Sequence, residues 1–378
     1  MVNTARYVPE FSIKVAAGDD IGSLQSLLGG RPRFDLWSGR TTDVTSVAIT
    51  ETTNQADTFT FSLRSRHAEL ERFPNGDELL WIDDLSLQPG TLVAVEMGYV
   101  GNRALSILGR VKALNSSFTA NGTILVRVEG QSLYGDLFRK SLRRPFADKT
   151  DSAIIKAMAD ELGLSTKVRS TSTEHATVTS PDGSLASILL PRAERLYYEL
   201  TVKGSTLYFE PPRYLEDDAP KLKLIWGEDL LNFSPRINTN GMPTSVEIRN
   251  SQTYYGGGSS PIVAKVNAGS VPARLGRRSG PQYVLARFGP NEVLADDQKV
   301  TTLEEAKEVA TATLRKHAIK FIEGQAATVG NPQLVSRTVI EMQRLGKQFS
   351  GRYYVTSTEH TINGSGYQTT FHVNRDGL

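Results

Sequence analysis

The chain has 378 residues, which is enough for two or three domains with buried cores. Its 43 basic and 41 acidic residues leave a net charge of +2, so we expect no nucleic-acid partner. No apolar run approaches the roughly 18 residues that span a bilayer, so we expect no stable membrane insertion. Cysteine is absent, which excludes disulfides, thiolate zinc sites and cysteine nucleophiles. The N-terminus carries no signal-peptide pattern, and we expect the protein to be assembled in a cytoplasm.

Residues 1–132 read as one antiparallel β-barrel or sandwich. Alternation of apolar and polar residues, or enrichment in Val, Ile, Thr and Phe, marks VTSVAITETT, DTFTFSLRSR, TLVAVEMGYV, LSILGRVKAL and TILVRVEG. Turn signals separate these runs at Asn75-Gly76, Pro89-Gly90, Gly101-Asn102 and Asn121-Gly122. Asn-Gly supplies the positive φ angles of a tight turn, so Asn121-Gly122 predicts a hairpin.

A helix-containing middle domain is predicted over residues 133–234. Within it, residues 148–163 form a helix with Asp148 as N-cap and Gly163 at its C-terminal end. Its apolar face holds Ile154, Ile155, Met158 and Leu162.

A second helix is predicted over residues 302–324. Thr302 and Glu305 have the spacing of a capping box. The stripe at helical spacing consists of Leu303, Ala306, Ala310, Leu314, His317 and Phe321. With the glycine-rich loops before it, this helix forms a predicted insertion over residues 255–324, which interrupts a second barrel formed by residues 235–254 and 325–378.

The second barrel is predicted from an internal repeat. Thr45–Ile49 matches Thr244–Ile248, and Val95–Met97 matches Ile340–Met342. A Gly-Arg pair then precedes an Asn-Gly pair in each copy, at 109–110 and 121–122, and again at 351–352 and 363–364. Four landmarks in the same order indicate a duplicated β-domain, with about 46 extra residues in the second copy, from the 94-residue and 48-residue spans between landmarks.

The sequence offers no catalytic, cofactor-binding or metal-ligating residue. The histidines, which lack metal-ligand spacing, are His67, His175, His317, His360 and His372. His317 is expected to pack on its helix, and His360 with His372 to form a structural cross-strand pair. Acidic clusters at Asp19-Asp20, Asp83-Asp84 and 216–218 are expected to be solvated turns. Arg274, Arg277 and Arg278 are expected in a solvated loop, or else at a protein contact.

Two stretches carry a resemblance to a known family. GTLVAVEMGYVGNRALSILGRV resembles the first barrel of the phage late control protein D family, the baseplate central hubs, which includes the hub portion of type VI secretion spike proteins. FSGRYYVTSTEHTINGSGYQTTFHVNRD resembles that family's closing motif. TDSAIIKAMADELGL and LEEAKEVATATLRK are similar to its two helices, so the resemblance spans roughly residues 10–376.

The resemblance implies a homotrimeric structural hub and no enzyme. Such a hub is a symmetry adaptor that joins a hexameric inner tube protein to a separate trimeric spike protein, alongside further baseplate components and the tape measure. The chain would then belong to a phage tail or tail-like injection particle. The separate spike is expected because the sequence ends soon after the second barrel.

Two alternatives stay open at this stage. One is a distal tail or tail-tip protein of a long-tailed phage, which binds the host. The other is a β-rich glycan hydrolase with acids drawn from Glu210, Asp217 or Glu228.

Overall fold

The computed structural model describes residues 8–16, 43–65, 81–82, 87–141, 145–180, 183–217, 219–250, 261–297 and 300–378. The sequence features that lie outside these residues are Asp19-Asp20, His67, Asn75-Gly76, Asp83-Asp84 and Asp218. The fold is mainly β with helical insertions, and this prediction is confirmed. No helix in the described ranges is long and apolar enough to cross a bilayer.

The first six strands form one end of a large sheet. They are β1 (Pro9–Val15), β2 (Val44–Thr52), β3 (Thr58–Ser65), β4 (Leu92–Tyr99), β5 (Asn102–Phe118) and β6 (Ile124–Ser132). Their order is β1-β4-β5-β6-β3-β2, and every neighbour pair is antiparallel. Alternate residues face one core, as the period-two pattern predicts, and Phe59, Phe61 and Val126 lie in it fully buried.

The middle region packs helices against two small sheets. Its elements are α1 (Asp136–Arg139), β7 (Phe146–Thr150), α2 (Asp151–Glu161), β8 (Ser165–Val168), β9 (Glu174–Val178), α3 (Leu185–Leu196), β10 (Glu199–Lys203) and β11 (Thr206–Glu210). The apolar face predicted for α2 is buried. The predicted N-cap is wrong, because Thr150 caps α2 by accepting from the Ala153 N–H at 3.3 Å. Asp148 lies in β7 with φ 49°.

The remaining elements complete a second barrel around an insertion. In order they are β12 (Leu222–Ile225), β13 (Leu230–Ile237), β14 (Ser245–Asn250), β15 (Ile262–Asn267), α4 (Gly280–Phe288), β16 (Glu292–Asp296), α5 (Leu303–Ala318), β17 (Ile322–Val329), β18 (Val339–Gln343), α6 (Gly346–Phe349), β19 (Gly351–Asn363) and β20 (Gly366–Arg375). Strands β12-β18-β19-β20-β17-β13 enclose a second core that includes Phe321, Tyr353 and Phe371.

One landmark of the predicted repeat is wrong. Residues 245–250 pair with β15 and β16 in a separate three-stranded sheet, so they are not the counterpart of β2. The strand in the β2 position of the second barrel is β13, and the chain between β13 and β17 carries the small sheet with α5. The match between Thr45–Ile49 and Thr244–Ile248 is a chance similarity, because many short strands share a Ser-Val-x-Ile pattern. The predicted domain bounds stay a prediction.

Helix α5 covers one face of the small sheet. Ala306, Ala310 and Leu314 pack against Val246 and Ile248, as the helical stripe predicts. Thr302 accepts from the Glu305 N–H at 3.1 Å, whereas the Glu305 carboxylate accepts from Thr301 N–H at 2.8 Å, one residue before the expected donor. Leu303, placed on the predicted stripe, is exposed instead.

Candidate assembly interface

The two barrels are joined edge to edge. Strands β2 and β19 pair antiparallel, from Ser357 opposite Thr52 to Asn363 opposite Ser46. The pairing makes one continuous path of ten strands, of which β5-β6-β3-β2-β19-β20-β17-β13 form what we call the eight-strand run. We call the β2–β19 contact the closed junction. Backbone pairing of this kind fixes the two barrels relative to each other.

A buried polar cluster lies under the closed junction. Glu51, at a core-facing position of β2, is in contact with Lys203 Nζ, and Asp57 Oδ2 lies 2.9 Å from the same nitrogen. The second carboxylate oxygen of Glu51 accepts from Ser336 N–H at 3.0 Å and from Thr358 Oγ1 at 3.2 Å. The cluster therefore connects the first barrel, the middle region and the second barrel.

Two carboxylates share one ammonium in this cluster. Burial raises the pKa of Asp57 to about 6, although Lys203 acts in the opposite direction. Burial also disfavours the ammonium, but the neighbouring Glu51 and Asp57 outweigh it, so the pKa of Lys203 is raised. Near neutral pH the cluster thus carries a surplus negative charge, which Asp57 can neutralise by taking a proton.

His360 lies on β19 in the core of the closed junction, with no exposed surface. Its Nε2 lies 2.9 Å from the Leu334 carbonyl oxygen, and its Nδ1 lies 2.9 Å from Tyr367 Oη and 3.1 Å from Thr369 Oγ1. A carbonyl only accepts, so Nε2 carries the proton and Nδ1 accepts from a hydroxyl. Burial lowers the pKa of His360 to about 4.

The expected pairing of His360 with His372 is wrong. His372 lies on the opposite face of β20 and is exposed, and the residue opposite His360 is Thr369. The hairpin turns through only two residues, so the partner of His360 lies nine residues later, and His372, three positions beyond Thr369, falls on the other face of β20. His317 is half-buried on α5, as expected for a packed helix residue.

A second buried ionic cluster fastens the middle region to the second barrel. Arg337, with φ 64°, donates from Nε to Glu199 Oε2 at 2.7 Å and from Nη2 to Glu210 Oε1 at 2.8 Å. Tyr354 Oη donates to Glu199 at 2.7 Å. Burial raises the pKa of Glu199, against the lowering effect of Arg337. Glu210, one of the acids of the hydrolase alternative, is therefore part of a structural ion pair.

The other two acids of that alternative lie elsewhere. Asp217 is exposed 3.5 Å from Lys221, and Glu228 is exposed 2.6 Å from Arg344. Each of the three carboxylates thus pairs with a different basic side chain, Arg337, Lys221 or Arg344. Among the described residues there is also no group of three His, Cys, Asp or Glu side chains that is arranged to hold a metal ion.

The basic loop at 274–278 holds the C-terminal residues. Backbone N–H groups of Arg274 and Leu275 donate to the Asp376 carboxylate at 2.6 and 2.9 Å. The Arg278 guanidinium donates to the Gln282 carbonyl at 3.1 Å, and all three arginines of the loop are exposed. These contacts hold the C-terminal end of the second barrel against the loop.

The charged residues of the closed junction were missed by sequence reasoning, although the pattern contained a signal. Glu51 follows Val47 and Ile49 at the same period-two positions, and Asp57 precedes Phe59 and Phe61 in the same way. A carboxylate at a core-facing position requires a buried partner. That partner, Lys203, is far away in sequence, so the pairing could not be read from the chain.

Comparison with protein families gives one match. Residues 38–364 match the family described as the Alg8 N-terminal domain, and the match extends over well more than half of the chain. The chain belongs to the Alg8 N-terminal domain family. A search of curated proteins finds no match.

Solved structures share the architecture. The 43 kDa tail protein of prophage MuSo2 from Shewanella oneidensis has 16% identity and a TM-score of 0.67, and the match covers 97% of this chain and 98% of that one. A component of the E. coli type VI secretion system, c3393, has 8% identity and a TM-score of 0.55, with 88% and 73% covered. A chain of the Francisella PdpA–VgrG complex has 9% identity and a TM-score of 0.53, with 97% and 58% covered.

At these identities the likeness concerns the fold alone. The chain has a baseplate-hub-like fold, which phage tail proteins and type VI secretion proteins share. The sequence expectation is thereby confirmed at the level of tail and baseplate architecture.

Proposed function

We propose that this protein is the structural baseplate hub of a contractile phage tail or phage-tail-like injection system. Three copies form a ring that joins the hexameric inner tube to a trimeric spike. The observation that carries the proposal is the closed junction: one chain holds two barrels of like strand order, connected edge to edge in one sheet.

The correspondence between the barrels supports the symmetry argument. The order β4-β5-β6-β3-β2 of the first barrel matches β18-β19-β20-β17-β13 of the second. Each of the hairpins β5–β6 and β19–β20 carries an asparagine at its tip that accepts from the backbone N–H two residues on, Asn121 Oδ1 from Thr123 N–H at 3.1 Å and Asn363 Oδ1 from Ser365 N–H at 2.8 Å, although the first connection is longer. Three copies of a two-barrel chain present six similar units to a hexamer while keeping three-fold symmetry.

The surface of the eight-strand run suits a passage for other molecules. The face opposite the barrel cores presents polar side chains, among them Thr60, Ser62, Thr361, Gln368 and Thr370, together with exposed Leu231 and Val329 at its β13–β17 end. We infer that the protein works by shape and assembly, with no reaction of its own. The buried ionic clusters around Lys203 and Arg337 connect the barrels and the middle region to one another.

The partners follow from the same proposal. The fold neighbour from Francisella belongs to a complex of two different proteins, PdpA and VgrG, which supports a partnership of this kind. For this chain we infer a homotrimer in contact with spike, inner tube, further baseplate components and tape measure. Assembly takes place in the bacterial cytoplasm, and the product is part of a tail or tail-like particle.

Co-expression with the neighbouring reading frames tests the proposal. Light scattering and electron microscopy should show a ring-shaped trimer, formed by the chain alone or with its spike. A stable monomer that joins neither spike nor tube protein would contradict it. Binding of the purified chain to a host envelope, without tube or spike binding, would favour a tail-tip protein instead.

A further inference from the structure

Two strand edges of the eight-strand run remain unpaired within the described part of the chain. One is the outer edge of β13, whose only ladder neighbour is β17. The other is the outer edge of β5 beyond Val111, the last β5 residue whose backbone bonds to the segment leading into β4. Unpaired edges of this length invite another strand.

These two edges belong to the strands that correspond, in the other barrel, to the two strands of the closed junction. Strand β5 has the place of β19 in its barrel, and β13 has the place of β2. The β5–β6 ladder shifts register between Val111 and Ala113, and the β19–β20 ladder does so between Val355 and Ser357. Matching the two shifts places Phe118, opposite Ile124, in the position of Ile362, opposite Tyr367. Matching the ladders to β17 and β3 places Phe233 in the position of Val47.

We propose that the β13 edge of one copy pairs antiparallel with the β5 edge of the next copy, in the register of the closed junction. Because Ile362 lies opposite Val47 in that junction, Phe118 of one copy lies opposite Phe233 of its neighbour. This inference rests on the proposed trimer and states which strands and residues close the ring.

Side-chain chemistry supports the register. Phe118 is 64% exposed and Phe233 half-buried, so both have apolar surface left to cover. Two positions further into the strands, Pro235 faces Ser116, and two further still, Ile237 faces Leu114. The pair that corresponds to Ile237 and Leu114 in the closed junction is Glu51 and Thr358. The open edges thus carry apolar residues where the closed junction has its polar cluster.

Pro235 explains how the edge is protected before assembly. It lacks a backbone N–H, so β13 is a poor template for arbitrary strand addition. A partner must bring matching side chains to compensate, and β5 offers Phe118 and Leu114 at the right spacing. The edge is therefore selective for a second copy of this chain.

The absence of cysteine allows a direct test. Ser117 and Ser234 are exposed and lie opposite each other in the proposed register. Opposed residues in antiparallel strands are about 4.5–5.5 Å apart at Cα, within the reach of a disulfide. The double variant S117C/S234C, co-expressed with spike and tube protein and oxidised with copper phenanthroline, should run as a covalent trimer. A mixture of the two single variants should give linked dimers at most.

The outcomes separate this inference from the proposed function. A trimer by light scattering whose cysteines stay unlinked overturns the strand pairing and leaves the hub proposal intact. A covalent ladder beyond three copies shows strands that pair without closing a ring of three, and it overturns the trimeric hub. No trimer in the presence of spike and tube protein overturns both. As a second measurement, F118D should abolish trimers, whereas V263D, a like change at an exposed valine of β15, should leave them unchanged.

Discussion

Strands β19 and β5 hold the same place in the two barrels, yet their surroundings differ. On β19 the core-facing residues Thr358, His360 and Ile362 are buried, because β2 covers their edge. On β5 the corresponding Leu114, Ser116 and Phe118 are half-buried or exposed. The difference indicates that a strand of the neighbouring barrel is what buries these core-facing positions. Within the described residues the chain supplies such a strand at β19 and none at the outer end of β5.

The largest effect is expected from breaking the closed junction at its lysine. K203M leaves Glu51 and Asp57 buried without a cation, which should lower the free energy of unfolding by about 3 kcal/mol. Urea denaturation followed by fluorescence measures it. K265M, at the exposed pair with Glu292, is the matched control and should not change the midpoint. Equal midpoints for both variants would show that the cluster does not hold the junction.

Acid should weaken the closed junction through His360. Its pKa is about 4 in the folded chain against 6.5 unfolded, so the stability it contributes is present above pH 6.5 and is lost as pH falls towards 4. The shift corresponds to roughly 3 kcal/mol at 1.36 kcal/mol per pKa unit. Between pH 7 and pH 4.5, the melting temperature should fall less in H360Q than in the unmodified protein. An undiminished acid loss in H360Q would assign the effect to other groups.

Asp57 should act with the opposite sign. Its folded pKa, about 6, exceeds the unfolded value of 3.8, so its contribution is largest below 3.8 and is lost as pH rises through 6. D57N removes the surplus charge and should stabilise the chain at pH 7 by about 1–2 kcal/mol, while Asn Oδ1 can still accept from Thr52 N–H. Denaturation at pH 7 and 5 checks this, and a destabilised D57N at pH 7 would contradict it.

The smallest effect is expected at the hairpin tips. N121A removes the acceptor for Thr123 N–H, and N363A removes the acceptor for Ser365 N–H. Each should cost about 0.5–1 kcal/mol, and the two variants should be alike if the hairpins are counterparts. Thermal unfolding of both measures it. A clear loss in only one would weaken the correspondence of the two barrels.

Much of the fold could be predicted from the sequence, because strands and hairpins depend on residues that are near one another in the chain. Alternation identified the strands of the first barrel, and Asn121 and Asn363 marked both hairpin tips. It failed where the deciding contact is distant: β13 took the place assigned to residues 244–248, and Thr150 rather than Asp148 caps α2. The junction could not be predicted either, since Glu51 and Lys203 meet only in the folded chain.

The central claim is that three copies form a ring in which six like barrels surround one axis. Electron microscopy of the assembly purified with its spike, with class averages viewed along the axis, tests it most directly. We expect a closed ring with six similar lobes and three-fold symmetry. A dimer, an open filament, or a ring with another number of lobes would contradict it.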